Sequence, residues 1–312
     1  MDEQPPERLY KYRAIDARTI ELLVDDMVYF ANPADFNDPL DTSPSLDTDL
    51  EVDALARVLE QLTTRRISAE LKAAADSLKY HGPKTRDHIA RHTQHTVQTL
   101  LERVGFMATA LGFEEDDPGQ TETRLLSYHI ESELLRQYDK GVLSLGARFD
   151  CPLMWSHYGG QHKGIAIGYS VPEAAKAGLY KVQYGGSRLV KARDVQAMLA
   201  GNEAASIRVD RDVLLRKAKD WEYEEEWRLL GERGLADSPL ELEEVVFGIR
   251  CLPAVRHAVV KALQGRRRDI KFFQVNQVPG SFELQCEELV ESEPDGRPRR
   301  ALSSLDGFED LT

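Results

Sequence analysis

Large side chains alternate along Leu9-Tyr10-Lys11-Tyr12-Arg13, the period-two signature of a strand. Asp16 stands where it can cap a short helix carrying Ile20, Leu22 and Leu23, and a second strand follows at Met27-Val28-Tyr29-Phe30. Asn32-Pro33 and Asn37-Asp38-Pro39 then predict an ordered turn. Asparagine and aspartate bond their own backbone there, and each proline forces its predecessor out of the helical region. From about residue 41 to 140 the alternation gives way to helical spacing. Val52, Leu55, Val58, Leu59 and Leu62 form one stripe, and Ile67, Leu71, Ala75 and Leu78 another. Ile89, Val97, Leu100, Leu101 and Val104 make a third, and Leu125, Ile130, Leu134 and Leu135 a fourth. The acidic run Glu114-Glu115-Asp116-Asp117-Pro118-Gly119 within this block reads as a solvated loop.

Strands return after Gly141, at 142–145, 164–169, 179–184, 243–249 and 270–275, with helices near 192–199, 213–219 and 253–263. Strands gathered in runs, with helices set apart in a block, predict an α+β fold and not a doubly wound parallel sheet. The expected organisation is a discontinuous α+β core of residues 1–40 and 141–290, a helical insertion of residues 41–140, and a flexible acidic tail over 291–312. The tail is rich in charge, proline and serine. Its Leu302, Leu305, Phe308 and Leu311 offer a short apolar face to a partner protein.

Composition narrows the function classes. The 312 residues carry 53 Asp+Glu against 40 Lys+Arg, a formal charge of −13, and 42% of them are hydrophobic. That suits a globular protein with a substantial core. No window approaches the roughly 20 apolar residues of a membrane span, and the first residues lack a signal-peptide layout, so a cytoplasmic protein with no membrane partner is expected. Cys151, Cys251 and Cys286 are far apart and form no CxxC pair, which predicts reduced thiols. The negative balance disfavours non-specific duplex binding unless a local basic or aromatic groove overcomes it. No glycine-rich nucleotide loop is present. Arg266-Arg267-Arg268 follows a helix end, where cations complement the helix dipole.

Three groups of residues could carry chemistry. His88, His92 and His95 share a helical face roughly opposite the third apolar stripe, so they point to solvent, and no metal is expected there. Residues 149–164 place Met154, Trp155 and Tyr158 on one face of a short helix, with Pro152 in its first turn and Gly159-Gly160 at its end. That arrangement serves either as core packing, with His157 merely hydrogen-bonded, or as a wall for a planar ligand ring. Residues 219–230 fit two periods. As a strand they set Trp221, Tyr223, Trp227 and Leu229 against Glu222, Glu224, Glu226 and Arg228; as a helix they give the line Tyr223, Trp227, Leu230 and a Glu224–Arg228 pair. Either way, carboxylates lie against aromatic surface, where desolvation suits them to stabilise developing positive charge.

Taken together, Leu9 to Arg13, Val28 to Pro33 with Phe36-Asn37-Asp38-Pro39, Met154 to Tyr158 with His162-Lys163-Gly164, and Trp221 to Arg228 resemble a widespread bacterial family known as domain of unknown function 2971. The resemblance covers most of residues 9 to 275 in order. A second resemblance is to ADP-ribosyltransferases, in particular DNA-targeting toxins. Arg13, the turn Cys151-Pro152-Leu153-Met154 and Glu226-Trp227-Arg228-Leu229 occur in that superfamily's order, and Glu224-x-Glu226 is similar to the paired glutamates of its arginine-modifying members. The superfamily's Ser-Thr-Ser strand is reduced here to Ser144-Leu145-Gly146.

This second resemblance implies a mixed or antiparallel sheet core that takes NAD as substrate without a metal. It implies Glu226, with Glu224, as the carboxylates at the oxocarbenium-like ribose, and Arg13 at the pyrophosphate. Tyr12 and Ser144 would bind the dinucleotide, Trp155 or Tyr158 would stack on nicotinamide, and His157 would orient ribose or acceptor. Asn37, Asp38, His162 and Arg228 would support the substrate. The expected function is ADP-ribosyl transfer to a macromolecular acceptor, nucleic acid or protein, or NAD hydrolysis, in bacterial defence or a toxin system. Two alternatives stand beside it: a non-catalytic sensor holding a nucleotide or partner near 155–163, and a divalent-metal hydrolase or nuclease with Asp38, Glu224 and Glu226 as oxygen ligands.

Overall fold

The structure is a computed structural model that describes residues 4–110, 118–137 and 140–289. The acidic residues Glu114 to Asp117 and the proposed docking tail lie outside the described residues. In chain order, β1 (Leu9–Arg13) leads through α1 (Ala17–Val24) to β2 (Met27–Phe30) and, past a tight turn at Pro33–Asp35, to β3 (Ser45–Asp47). Three long helices follow: α2 (Val52–Ser77), α3 (Thr85–Ala110) and α4 (Pro118–Gln137). Next come β4 (Lys140–Gly146), α5 (Pro152–His157), β5 (Ile165–Ser170), α6 (Glu173–Lys176), β6 (Leu179–Lys181), β7 (Gln183–Tyr184) and β8 (Leu189–Lys191). The chain continues through α7 (Ala192–Leu199), α8 (Glu203–Leu214) and β9 (Arg216–Lys217) to a 3-10 segment at Lys219–Glu224. It ends with β10 (Glu226–Glu232), β11 (Gly234–Asp237), β12 (Glu241–Phe247), α9 (Pro253–Leu263), β13 (Lys271–Gln277) and β14 (Leu284–Glu288).

The fold is α+β. Its eight-stranded sheet has the order β14-β13-β12-β5-β1-β4-β10-β6, antiparallel except between β12 and β13. Alternation assigns the two faces. Leu9, Leu145, Ile167, Trp227 and Phe247 pack on one face beneath α1, β2 and α9. On the other, Tyr10, Tyr12 and Val246 meet α5, while Val142 joins α2, α4, α7 and α8 in a second core. Local chemistry explains the short elements. Asp16 caps α1 by accepting the Thr19 N–H at 2.7 Å, and Pro152 opens α5.

Several expectations are corrected. The first two stripes of the helical block lie on one helix, α2, whose burial ends at Ile67, leaving Leu78 exposed. No helix spans 213–219; α8 stops at Leu214, and β9 and the 3-10 segment follow. Residues 219–230 are neither one strand nor one helix, because Glu225 adopts a left-handed backbone (φ 43°) that ends the 3-10 segment and starts β10. His88, His92 and His95, by contrast, are exposed on α3 as their spacing predicts. Among the described residues no helix is long and apolar enough to cross a membrane, and the three cysteines are free thiols.

The feature that positions the site is a split in the sheet. β1 pairs with β5 along its whole length, and β4 with β10 along seven positions, yet β1 and β4 share only the pair Tyr10–Gly146. Beyond it the strands part. Farther along the same edge of β4, Val142 exchanges both backbone hydrogen bonds with Ala31, at the end of β2. Successive residues of an antiparallel strand aim their backbone groups at alternate neighbours, so both groups of Ser144 face this gap.

Two glycines hold the chain near it. A Cβ on Gly164 would land on the Arg13 carbonyl oxygen, and one on Gly248 on that of His162. Gly164→Ala and Gly248→Ala are expected to lower stability by ~1–3 kcal/mol through backbone collision. Gly105→Ala, mid-helix and with open space at its Cβ, is expected to raise it by ~0.5–1 kcal/mol. Chemical denaturation of the three variants checks both signs.

Candidate functional site

The gap between β1 and β4 opens into a cavity of about 270 Å³. Its wall on the β4–β10 side is a cluster of buried charge. Glu226, at the start of β10, opposes Gly146, and Glu224 ends the 3-10 segment before it. The left-handed Glu225 between them turns the chain so that both carboxylates reach one ammonium. Lys217 Nζ stands 2.5 Å from Glu224 Oε2, 3.1 Å from Glu226 Oε2 and 3.4 Å from Asp41 Oδ2. Arg228 is fully buried two residues beyond Glu226, on the same sheet face. Its Nε donates to Glu226 Oε1 at 2.9 Å, its Nη2 to Asp41 at 2.7 and 2.9 Å, and its Nη1 to the Leu214 carbonyl at 2.6 Å. Three carboxylates therefore share two fixed cations.

These surroundings push the two glutamates apart. Burial works against ionisation of both. At Glu226, Arg228 and Lys217 outweigh it and hold the carboxyl down at about 2. At Glu224 burial prevails over Lys217, with help from the charge on Glu226, and the pKa is raised. One carboxylate is held ionised beside another whose proton affinity is raised, the arrangement that separates acid–base roles in a site. Lys217 is held charged: burial disfavours it, but Glu226, Glu224 and Asp41 together win. Tyr158 donates its hydroxyl to Glu224 Oε1 at 2.9 Å and accepts from Asn37 Nδ2 at 3.4 Å. Among the described residues no three His, Cys, Asp or Glu side chains are grouped to hold a metal ion, and Asp38 is engaged elsewhere.

Of the residues singled out in the sequence, Glu224, Glu226, Tyr12, Tyr158, Ser144 and Asn37 line the cleft, and Arg228 stands behind the carboxylates. Asp38 accepts the Trp221 Nε1–H at 2.8 Å, and the exposed His157 ring lies 6.0 Å from Trp221. Both belong to the surroundings of the cleft and not to its lining. Three expectations are corrected. Arg13 points away from the cleft, toward Tyr169, Arg18 and Asp16. Trp155 has no exposed surface; its Nε1 donates to the Phe149 carbonyl and its ring packs edge-on against Tyr12 at 5.1 Å, so no face is open for a ligand. His162 stacks over Trp155 at 6.3 Å with Ser156 Oγ 3.3 Å from its Nε2, and it is not part of the cleft lining.

Sequence reasoning missed Lys11, Asp41 and Lys217. A charge in the middle of a strand that pairs along its whole length with β5 is the signal that could have found Lys11. Asp41 and Lys217 gave none, because their partners lie far away in sequence.

The ion cluster generates a stability prediction. Arg228→Met leaves Asp41 and Glu226 buried without their guanidinium and is expected to cost ~3–5 kcal/mol at neutral pH. In the native protein Glu226 is depressed, so its contribution is present above its unfolded pKa and is lost as pH falls from about 4.5 toward 2. The variant loses that depression, so its deficit against wild type is expected to shrink below about pH 5. Urea denaturation at pH 4.5 and 7.5 measures it.

No curated protein and no solved structure matches the chain. The resemblance to ADP-ribosyltransferases therefore finds no counterpart among known proteins, while the other resemblance does in part. Residues 154–229, the stretch that contains Tyr158, Lys217, Glu224, Glu226 and Arg228, match the family described as protein of unknown function (DUF2971).

Proposed function

We propose that the cleft between β1 and β4 takes the nicotinamide–ribose end of NAD and breaks the bond joining them, passing ADP-ribose to a macromolecular acceptor or to water. The observation that carries this reading is the pair Glu224 and Glu226, held side by side in a sheet split with their pKa values pushed in opposite directions. Ligand clefts run from roughly 300 Å³ upward, so a cavity of about 270 Å³ suits one end of a dinucleotide and not the whole. As the ribose–nitrogen bond breaks, its electron pair leaves with nicotinamide and the ribosyl carbon becomes cationic. Fixed negative charge stabilises that cation most in a site of low dielectric.

The roles differ from those expected of the sequence. Glu226 is saturated by Arg228 and Lys217, so it supplies field, whereas Glu224, which meets Lys217 and Tyr158 and has its pKa raised, takes the acceptor's proton. Tyr158 holds Glu224 in place. The saturation of Glu226 also favours a second reading, in which the ion cluster only braces the cleft and the protein binds a nucleotide without chemistry.

Incubating a bacterial lysate with labelled NAD separates the two. Label in the protein or nucleic-acid fraction, or release of nicotinamide, is expected from wild type. Glu224→Gln is expected to lower kcat by ~10²–10⁴ with KM little changed. Chelator should have no effect. Binding of NAD with no label and no nicotinamide supports the second reading, and activity that vanishes with chelator supports a metal-dependent hydrolase.

A further inference from the structure

NAD cleavage by Glu224 and Glu226 gives Lys11 no task, although it lines the same cleft. Beyond the single pair Tyr10–Gly146 it reaches across the opening between β1 and β4, where Nζ donates to the Ser144 carbonyl oxygen at 2.9 Å. That acceptor is neutral, and among the described residues Lys11 forms no ion pair. Lys217, on the opposite wall, is surrounded by three carboxylates. Two lysines thus face one cavity in contrasting surroundings, one against a neutral carbonyl and the other among carboxylates.

Burial is the largest influence on Lys11 and favours the neutral amine, as do the charges of Arg13 and Lys217; Glu226 and Glu224 oppose them, and the balance lies at about 8. Tyr10, Tyr12, Tyr158, Asp35 and Asp41 complete the titratable lining. At pH 7.5 about a quarter of such an amine is unprotonated, against roughly 0.1% of an ordinary lysine. An unprotonated amine with its lone pair free is a nucleophile, and desolvation is a recognised way to activate one.

We propose that Lys11 is a carbonyl-trapping amine and that the cleft takes a small aldehyde or ketone as an imine-forming ligand. The Nζ lone pair forms the new carbon–nitrogen bond while the carbonyl π pair moves to oxygen, giving a carbinolamine. The oxygen then leaves as water, carrying both protons that the amine gives up, and a carbon–nitrogen double bond remains. No oxidant or reductant is required. Glu224, protonatable and on the facing wall of the same cavity, supplies the proton that lets water depart and receives it back from nitrogen. This chemistry goes beyond NAD cleavage and does not depend on it.

Glyceraldehyde with cyanoborohydride tests it on the full-length protein, because hydride reduces an imine to a stable secondary amine that peptide mapping locates. At pH 7.5 Lys11 is expected to be labelled at least tenfold faster than the exposed Lys163, with a rate that rises through a midpoint near pH 8. Lys11→Arg should abolish the label at that position and leave Lys163 unchanged, with the melting transition retained as a check of folding. The ratio in the wild type decides the matter even where the variant does not fold. Equal rates at Lys11 and Lys163, or no label at Lys11 in the folded protein, overturn the proposal.

Discussion

A guanidinium with no exposed surface cannot stand in a protein interior without neutralising partners, and the disposition of this molecule follows from how Arg228 obtains them. Glu226 comes from its own strand, the Leu214 carbonyl from the end of α8, and Asp41 from a turn 187 residues away in sequence. Lys217 then shares the same carboxylates and brings Glu224 into the group. The cluster ties the segment after β2, the end of α8 and the start of β10 to one point. The boundary expected at residues 40 and 41 therefore runs through this network and does not separate two independent pieces.

The split in the sheet and the charge cluster depend on each other. Parting β1 from β4 leaves backbone groups of β4 without a strand partner along part of its edge, and other groups meet them there. Val142 bonds Ala31, the Ser144 carbonyl takes Lys11, and Gly146 pairs with Tyr10. Gly146 opposes Tyr10 on one side and Glu226 on the other. A Cβ there would stand 3.3 Å from the Glu224 carbonyl oxygen, so the absence of a side chain lets the 3-10 segment come close enough to present its last residue to the cavity. A closed sheet would bury these carboxylates with no access, and an open one would give water the field that the cluster concentrates in the cleft.

The elements that the sequence reveals are those specified by neighbours along the chain. β1, α1 with its Asp16 cap, β2, α7 and α9 lie where period and capping predict them. The stretch 219–230 defeats periodicity because a left-handed residue at 225 resets the direction of every later side chain, so each template fits half of it. In the site, Glu224, Glu226 and Tyr158 are legible because their spacing and aromatic neighbours are local. Asp41 and Lys217 are not, since the charges they neutralise are set by tertiary folding. Arg13 and Lys11 are two positions apart on one strand, and only the point at which β1 leaves β4 decides that Lys11 enters the gap. Trp155 shows the remaining ambiguity: an aromatic beside a glycine turn looks the same in sequence whether it lines a pocket or fills a core.

Carbon-13 detected titration of the glutamate carboxyls, with Glu224→Gln and Glu226→Gln for assignment, measures directly the opposed proton affinities of the two neighbouring carboxyls in the cleft. Glu224 is predicted to titrate above the ordinary glutamate range while Glu226 remains ionised down to about pH 2. Both groups titrating together near the ordinary value, or Glu226 taking up its proton before Glu224, would contradict it.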